Sequence, residues 1–373
     1  MSFLPRSILA ALASLSLAQP GMAATAAPVT AADVAATIAA CAPGAACAKP
    51  LPVRMVIVTL FEIGEDSGDK PGEFQLWKER RKLDVRIPFP QSHHDLYYNP
   101  DSQILGIVTG MGNIKSAAAA MALGLDQRFD LSKAYWLVAG IAGIDPEDAS
   151  IGSAAWAHYL IDGDLSHEID PREIPADWKT GYFPLHSKGP NDPSPPVGQG
   201  EVFEANLALR DWAYALTKDM KLPDDPSIQK ERARFTGHPK AQLPPFVLKG
   251  DQLAAMTFWH GKLLTDWANG WVDYWTQGKG EFVTSAMEET GTFQAITYLD
   301  RIGRVDKDRV MVLRAGSNFT MPPPDDTAAH YLLSENEGYA GMTAALESLY
   351  AVGSKVVDEI LAHWDRYEQA PPQ

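Results

Sequence analysis

Short apolar segments alternate with helix-like segments from residue 51 onward, and this alternation constrains the fold more than any other feature. Residues 54–60 (RMVIVTL) form a continuous run of the kind found in strands buried on both faces of a parallel sheet. The pattern predicts further strands at 104–109, 135–139, 154–161, 282–287 and 309–315, and helices at 116–125 and 339–364. We therefore expect one α/β domain over residues 51–365, with three α/β/α layers around a central mixed, largely parallel sheet.

The first 23 residues have the composition of a secretory signal peptide. A basic start (MSFLPR) precedes an apolar stretch (SILAALASLSLA) and small residues suited to cleavage after Ala23. No later apolar run approaches the ~20 residues that a membrane-spanning helix requires. We expect a signal peptide at 1–23, an N-terminal segment at 24–50, a periplasmic or secreted location, and no membrane insertion of the mature chain.

Charge and cysteine content narrow the function further. The formal net charge is −15, and an acidic chain without a basic stripe is not expected to bind nucleic acid. Both cysteines, Cys41 and Cys47, lie in the N-terminal segment, where an oxidising compartment would allow them to close a small loop. The sequence leaves open whether they are joined. The acidic loop around Asp162 and Asp164 has no recognised ligand spacing, so we predict no metal and no cofactor.

Two glycine-rich segments follow predicted strands. In VTGMGN (108–113), glycines at a strand–helix junction let the backbone of Gly110, Met111, Gly112 and Asn113 approach a ligand. Lys115 stands where the dinucleotide fingerprint needs its third glycine. A second turn is expected at AGIAGIDP (139–146), which would bring Ala142 and Gly143 to the same crevice. An ordinary strand–helix turn is the alternative interpretation of each segment.

Five segments in order carry a resemblance to a known family: VTGMGN, AGIAGIDP, KGDQ (249–252), SAMEET (285–290) and RAGSNF (314–319). They resemble the signatures of the nucleoside phosphorylase and nucleosidase fold and, within it, the purine nucleoside permeases. The resemblance covers about residues 51–365. It implies a purine nucleoside ligand and cleavage of its N-glycosidic bond by water or by phosphate, with inorganic phosphate then a co-substrate. The alternative that it implies is a non-catalytic component of nucleoside uptake, acting with a separate transporter.

The resemblance also implies roles for individual residues. Met287 and Glu288 match a Met–Glu pair that holds ribose, and an ionised carboxylate suits a vicinal diol because it offers two acceptor oxygens. Asn318 stands where related enzymes often have an aspartate that protonates the purine. Asparagine cannot act as an acid, but its amide can hydrogen-bond the base of a 6-oxopurine.

The remaining candidates are a base and a set of aromatic residues. Glu62, with Glu65 as its neighbour, lies near the position where nucleosidases place the carboxylate that activates water. Phe258, Trp259 and His260 follow the KGDQ segment and can stack on a purine. A solvated loop acid and core aromatics are the alternatives. Relatives of this fold assemble as oligomers, so a homo-oligomer is an inherited expectation. The sequence does not decide between catalysis and binding, between water and phosphate, or among purines.

Overall fold

A computed structural model of the chain describes residues 29–41, 47–190, 192–194, 197–198, 200–335 and 338–373. The predicted signal peptide lies outside these residues, so its assignment stays a prediction.

Most of the strands are short, and two of them extend to ten residues. They are β1 (Leu51–Pro52), β2 (Met55–Thr59), β3 (Val85–Ile87), β4 (Leu96–Asn99), β5 (Ile104–Val108), β6 (Phe129–Asp130), β7 (Tyr135–Ile144), β8 (Ala154–Trp156), β9 (Tyr159–Asp162), β10 (Ser166–Glu168), β11 (Tyr182–Pro184), β12 (Val202–Glu204), β13 (Val247–Lys249), β14 (Asp251–Ala254), β15 (Phe282–Ala286) and β16 (Val310–Phe319).

The helices connect these strands and end the fold. They are α1 (Ala31–Ala40), α2 (Gln75–Arg80), α3 (Asn113–Leu125), α4 (Leu207–Thr217), α5 (Pro226–Arg232), α6 (Lys262–Thr276), α7 (Glu289–Arg301), α8 (Ala328–Glu335), α9 (Met342–Ala362) and α10 (Trp364–Tyr367), with a 3₁₀ turn at Lys307–Arg309. The helices predicted at 116–125 and 339–364 correspond to α3 and α9.

A 12-stranded mixed sheet forms the centre, and β7 and β16, each of ten residues, are its longest strands. Along one edge β7 pairs with β2 in parallel and then, beyond the end of β2, with β15 in antiparallel orientation. Along its other edge it pairs in parallel with β16. The sheet continues through β2 to β5, β4 and β3, and through β15 to β14, β9 and β12, while β8 and β13 join it at β16.

The sheet lies between two helical layers. In β2, Val56 and Val58 pack on the side that includes α3 and α7, whereas Met55 and Ile57 pack on the side that includes α2, α4 and α9. Alternate residues of a strand point to opposite faces, so a strand that is apolar throughout is buried on both. The predicted α/β class, with a mixed sheet between helices, is confirmed.

The glycine-rich turn predicted at 139–146 is wrong. Residues up to Ile144 continue β7, and RAGSNF likewise ends β16, because the two strands pair in parallel from Trp136 and Val310 to Ile144 and Phe319. The backbone groups of the two segments therefore satisfy each other in the ladder, and neither segment needs to turn.

The single strand predicted at 154–161 is also wrong. It is two strands, β8 and β9, which join different neighbours in the sheet. At the change of partner, the N–H groups of His158 and Tyr159 both donate to Oδ1 of Asp251, at 3.0 and 2.8 Å. A buried carboxylate thus replaces the ladder bonds that a continuous strand would have made.

The N-terminal segment packs on this body. Thr30 caps α1 with a capping box, Val34 is buried among the residues of β2, α3 and α7, and Cys41 and Cys47 are joined by a disulfide. Among the described residues, none of the helices combines the length and the apolar character needed to cross a membrane.

Candidate functional site

A cavity of about 200 Å³ opens where β2 and β15 end and where β7 and β16 run side by side. The carboxyl ends of neighbouring strands form the usual ligand crevice of an α/β sheet. The predicted binding residues that line this cavity are Met111, Ala142, Gly143, Phe258, Trp259, Met287, Glu288 and Asn318. The predicted residues Gly110, Gly112, Asn113 and His260 lie outside the described lining.

Arg314 is the positively charged residue among the described residues that line the cavity. Its Nε donates to Oε1 of Glu289 at 2.5 Å, and its Nη2 donates to Oε2 of Glu288 at 2.8 Å. Its Nη1 donates to the carbonyl of Ile141 at 2.6 Å and lies 3.9 Å from Oε1 of Glu73. All four charged side chains are at most 4% exposed. One guanidinium therefore faces three buried carboxylates.

The cluster has more acid groups than Arg314 can neutralise, and the pKa values reflect this. Burial raises the pKa of Glu73 to about 8, although the charge of Arg314 opposes the change. Burial, with the charge of Glu288, also raises the pKa of Glu289. Burial alone would lower the pKa of Arg314, but the charges of Glu289, Glu288 and Glu73 raise it, so Arg314 stays charged. The carboxyl group of Glu73 is therefore largely protonated at neutral pH.

Glu73 lines the cavity and is held from two sides. Its Oε2 accepts the N–H of Leu60, which follows β2, and its Oε1 accepts the N–H of Ile141 in β7, both at 2.7 Å. The carboxyl group is thereby fixed where β2 ends beside β7. Its raised pKa and its place in the wall give it the properties of a proton acceptor for a bound water.

Glu288 lies at the start of α7 and joins it to the glycine-rich turn. Its Oε1 accepts the N–H of Gly112 at 3.0 Å, and its Oε2 accepts the N–H of Met287 at 3.3 Å. Although Glu288 occupies the N-cap position of α7, its side chain makes no capping bond. A carboxylate has about four acceptor directions; Gly112, Met287 and Arg314 take three of them, which leaves one for a ligand.

The glycine turn acts through its backbone. Gly110 and Gly112 have φ values of 88° and 93°, which residues with a side chain rarely adopt. Met111 between them reaches the cavity, and Oδ1 of Asn113 accepts the N–H of Gly291 at 2.9 Å. The turn therefore fixes α3 against α7 and presents one N–H to Glu288.

The two predicted bases lie away from the cavity. The carboxylate of Glu62 accepts the N–H groups of Phe74 and Gln75, at 2.8 and 2.6 Å, and also that of Gly72, so it caps the start of α2. Glu65 is exposed. Glu62 thus holds the loop that carries Glu73 into the wall.

The three predicted aromatic residues occupy different environments. Phe258 and Tyr339 both line the cavity, and their rings are nearly parallel with centroids 6.3 Å apart. Trp259 lines the cavity but also packs on Trp267. His260 is buried outside it, against Tyr331, and burial lowers its pKa to about 4. Phe258 and Tyr339 are therefore the rings on which a flat ligand can stack.

Asn318 lies near the end of β16 and lines this cavity and also a smaller one of about 140 Å³ behind it. Its Oδ1 accepts the hydroxyl of Ser317 at 2.9 Å, and its Nδ2 lies 3.4 Å from Oε2 of Glu335. The amide thus forms part of the boundary between the two cavities.

Reasoning from the sequence missed Glu73, Arg314 and Tyr339. One signal for Arg314 was present, because a charge inside an otherwise apolar strand requires a buried partner. Gly140 was a second signal: a Cβ there would collide with the guanidinium of Arg314. Nothing in the local sequence distinguishes Glu73 from the other acids after β2.

Comparison with known proteins identifies the family. A profile of the purine nucleoside permease (NUP) family matches residues 52–372. The chain belongs to the purine nucleoside permease family. This confirms the predicted membership, and the match includes every segment that lines the cavity. A purine nucleoside permease from Candida albicans is 30% identical over 317 residues, which are 84% of this chain and 76% of that relative.

Two further likenesses are more distant. A probable purine nucleoside permease from Schizosaccharomyces pombe is 29% identical over 284 residues, which are 74% of this chain and 80% of that relative. The solved structure of futalosine hydrolase from Helicobacter pylori is 13% identical with a TM-score of 0.46, over 82% of this chain and 98% of that one.

Proposed function

We propose that this purine nucleoside permease family member binds purine nucleosides in the cavity and hydrolyses their N-glycosidic bond. The observation that carries the proposal is the pair of buried carboxyl groups, Glu73 and Glu288, on either side of the Arg314 guanidinium in one cavity wall. Burial raises the pKa of Glu73, and a carboxyl group with a perturbed pKa in a cavity wall is typical of a catalytic site.

The proposed mechanism gives the two carboxylates different tasks. Glu288 accepts hydrogen bonds from the ribose hydroxyls and stabilises the positive charge that develops on the sugar as the C1′–N9 bond breaks. Glu73 accepts a proton from the water that attacks C1′. The bond's electron pair leaves with the purine, which Asn318 stabilises by a hydrogen bond and which takes a proton from solvent. The correction to the sequence-based hypothesis is the base: Glu73 replaces Glu62 and Glu65.

The rings of Phe258 and Tyr339 support a flat ligand. Both belong to the cavity wall, and Phe258 is 44% exposed although it is a large apolar side chain. An aromatic base stacked on these rings would cover that surface. Stacking on aromatic rings is tolerant of base identity, so we assign the choice among purines to Asn318.

Charge favours water over phosphate as the nucleophile. Arg314 is the cation among the described residues of the lining, and each of its three nitrogens already donates to a protein acceptor, in Glu289, Ile141 and Glu288. A phosphate dianion would therefore lie beside the carboxyl group of Glu288, while the guanidinium of Arg314 is already bonded to protein acceptors. It would rely on backbone N–H groups, and a helix end contributes only about 0.3–1 kcal/mol at an exposed site.

The decisive experiment incubates the purified protein with inosine while phosphate is varied from zero to saturating concentration. Hydrolysis predicts free ribose at a rate independent of phosphate, reduced about 10²–10⁴-fold in Glu73→Gln because the general base is lost. Glu65→Gln, which removes an exposed acid from the same loop, is the matched control and should retain the rate. Ribose 1-phosphate that appears only with added phosphate would overturn hydrolysis.

The family name favours a second candidate, a non-catalytic component of nucleoside uptake that delivers its ligand to a separate transporter. Tight binding of inosine without release of hypoxanthine by the wild type would support it. Failure to bind inosine at all would overturn both candidates.

We also propose export to the periplasm or the medium, on the basis of residues 1–23. N-terminal sequencing of protein recovered from the periplasmic fraction should start at Ala24, and an uncleaved N-terminus would contradict the proposal. The homo-oligomer stays a prediction, measurable by analytical ultracentrifugation.

A further inference from the structure

Behind the proposed purine site lies the second cavity, on the far side of Asn318. Its lining includes Ser317 and Asn318 from β16, Tyr331 and Glu335 from α8, and Glu231 from α5. The Glu335 side chain is buried, and its Oε1 has no hydrogen-bond partner among the described residues. Its Oε2 lies 3.4 Å from Nδ2 of Asn318. An acid group is thus held against the back of the amide that faces the ligand.

We infer that Glu335 is a positioning residue that sets the orientation of the Asn318 amide, and through it the choice between a 6-oxo and a 6-amino group on the purine. The inference rests on the proposed purine ligand and deepens it.

The Asn318 amide has one end that donates, Nδ2–H, and one end that accepts, Oδ1. A carboxylate can only accept hydrogen bonds, so an ionised Glu335 draws Nδ2–H of Asn318 towards itself and leaves Oδ1 to accept from the ligand. A protonated Glu335 can donate its O–H to Oδ1, which turns Nδ2–H towards the ligand. Ser317 serves both orientations because its hydroxyl can donate or accept.

The contacts of the amide are weak enough to permit both orientations. Nδ2 lies 3.4 Å from Glu335 and 3.4 Å from the carbonyl of Phe319, at the long end of hydrogen-bond distances. An amide that donates to the ligand matches a 6-oxopurine, whose O6 and N7 both accept. An amide that accepts matches the 6-amino group of adenine. The proton on Glu335 therefore selects the base.

The surroundings of Glu335 favour the protonated state at neutral pH. Burial raises its pKa to about 8; the contact with Asn318 lowers it and the negative charge of Glu231 raises it. Glu231 itself accepts the hydroxyl of Tyr331 at 2.6 Å. The charged and titratable groups that face Glu335 from the packed elements are Glu231, Arg234, Tyr331 and Tyr339. We expect the 6-oxopurine to be preferred below pH 8 and less so above it.

The experiment measures binding of the free bases hypoxanthine and adenine by calorimetry at pH 6.5 and pH 9, in the wild type and in Glu335→Gln. Free bases are not cleaved, so the readout is independent of catalysis. For each protein, the preference is the Kd of adenine divided by the Kd of hypoxanthine. The ratio of the wild-type preference to the variant's preference should be about five- to tenfold lower at pH 9 than at pH 6.5, as expected for one hydrogen bond. Titration of the purines themselves is common to both proteins and cancels in this ratio.

Ser334→Ala is the matched control. Its hydroxyl bonds the carbonyl of Tyr331 in the same cavity and does not contact Asn318, so it should behave as the wild type. Equal weakening of both bases by Glu335→Gln, at both pH values, would mean that Glu335 is only structural and would overturn the inference.

A second variant tests the inference even if Glu335→Gln does not fold. Glu231→Gln removes the charge that raises the pKa of Glu335, so the pH at which the preference changes should fall; an unchanged midpoint would overturn the inference. Release of ribose from inosine together with no effect of these variants would refute the role of Glu335 and leave the proposed hydrolysis standing. Failure of the wild type to bind either free base would overturn the inference, and failure to bind inosine as well would also overturn the proposed function.

Discussion

Replacing Arg314 by methionine removes the cation from a buried cluster without removing much volume. Arg314 contacts Glu289 and Glu288 directly and lies 3.9 Å from Glu73. Removing one partner of a buried ion pair costs about 3–5 kcal/mol. The carboxyl groups can escape part of this cost by taking up protons, at about 1.36 kcal/mol for each pKa unit. We therefore expect Arg314→Met to lower the free energy of unfolding by about 3–5 kcal/mol near pH 8.

The loss should depend on pH in a defined direction. The pKa values of Glu73 and Glu289 are already above those of an unfolded chain, and loss of Arg314 raises them further because its charge lowers both. A carboxyl group whose pKa is higher in the folded chain than in the unfolded chain contributes stability that is fully present below the unfolded pKa. This contribution is lost as the pH rises through the pKa of the folded state. For Glu73 this window extends from 4.5 to about 8. The cost of Arg314→Met should therefore be smaller at pH 5 than at pH 8.

Equilibrium urea unfolding at both pH values measures the effect. The double variant Arg314→Met with Glu289→Gln tests its origin, because Gln has no charge to leave unpaired. Residues in direct contact usually couple by about 0.5–3 kcal/mol, so the double variant should be more stable than the sum of the single changes. A loss below about 1 kcal/mol at pH 8, or strictly additive changes, would refute the buried-cluster argument.

Three further predictions concern the ligand and the reaction. In a Glu73→Gln background, where the nucleoside is not cleaved during the measurement, Glu288→Gln should weaken ribonucleoside binding by about 1.5–3 kcal/mol, the range for charged hydrogen bonds. The binding of 2′-deoxynucleosides should weaken less. Equal ribonucleoside affinities with and without Glu288→Gln in calorimetric titration would contradict this role. The wild type should bind inosine and guanosine more tightly than adenosine, with the order reversed in Asn318→Asp; competition binding that shows a wild-type preference for adenosine would contradict the assignment. The hydrolysis rate at low substrate should rise with pH up to about 8 and then level, because Glu73 must lose its proton to act as the base. A pH–rate profile already flat above pH 5 would exclude Glu73 from that role.

Much of the fold could be predicted from the sequence because its signals are local. The continuous apolar run in β2 predicts burial on both faces whatever packs against it. Met287 and Glu288, at the junction of β15 and α7, line the cavity, and their role in holding ribose stays a prediction. At that junction the apolar run ends and a charged pair begins, and both signals lie within a few residues.

Pairing between distant strands decided where the glycine-rich segments belong. AGIAGI has the composition of a turn, but β16 lies alongside it, and hydrogen bonds between the two strands stabilise an extended backbone. Gly140 serves there as space for the guanidinium of Arg314, 174 positions later in the chain, and not as a hinge. The composition of a segment does not specify which strand will pair with it.

The sequence by itself determined that acids follow β2, and the family resemblance implied that one of them activates water. Only the tertiary structure decided which of them lines the cavity, because the choice depends on partners far along the chain. Glu62 turns back onto the N–H groups at the start of α2, whereas Glu73 reaches Ile141 in β7 and faces Arg314 in β16. The pKa of a carboxyl group depends on burial and on the charges around it, and for Glu73 both are supplied by residues that come together only when β2, β7 and β16 join in one sheet.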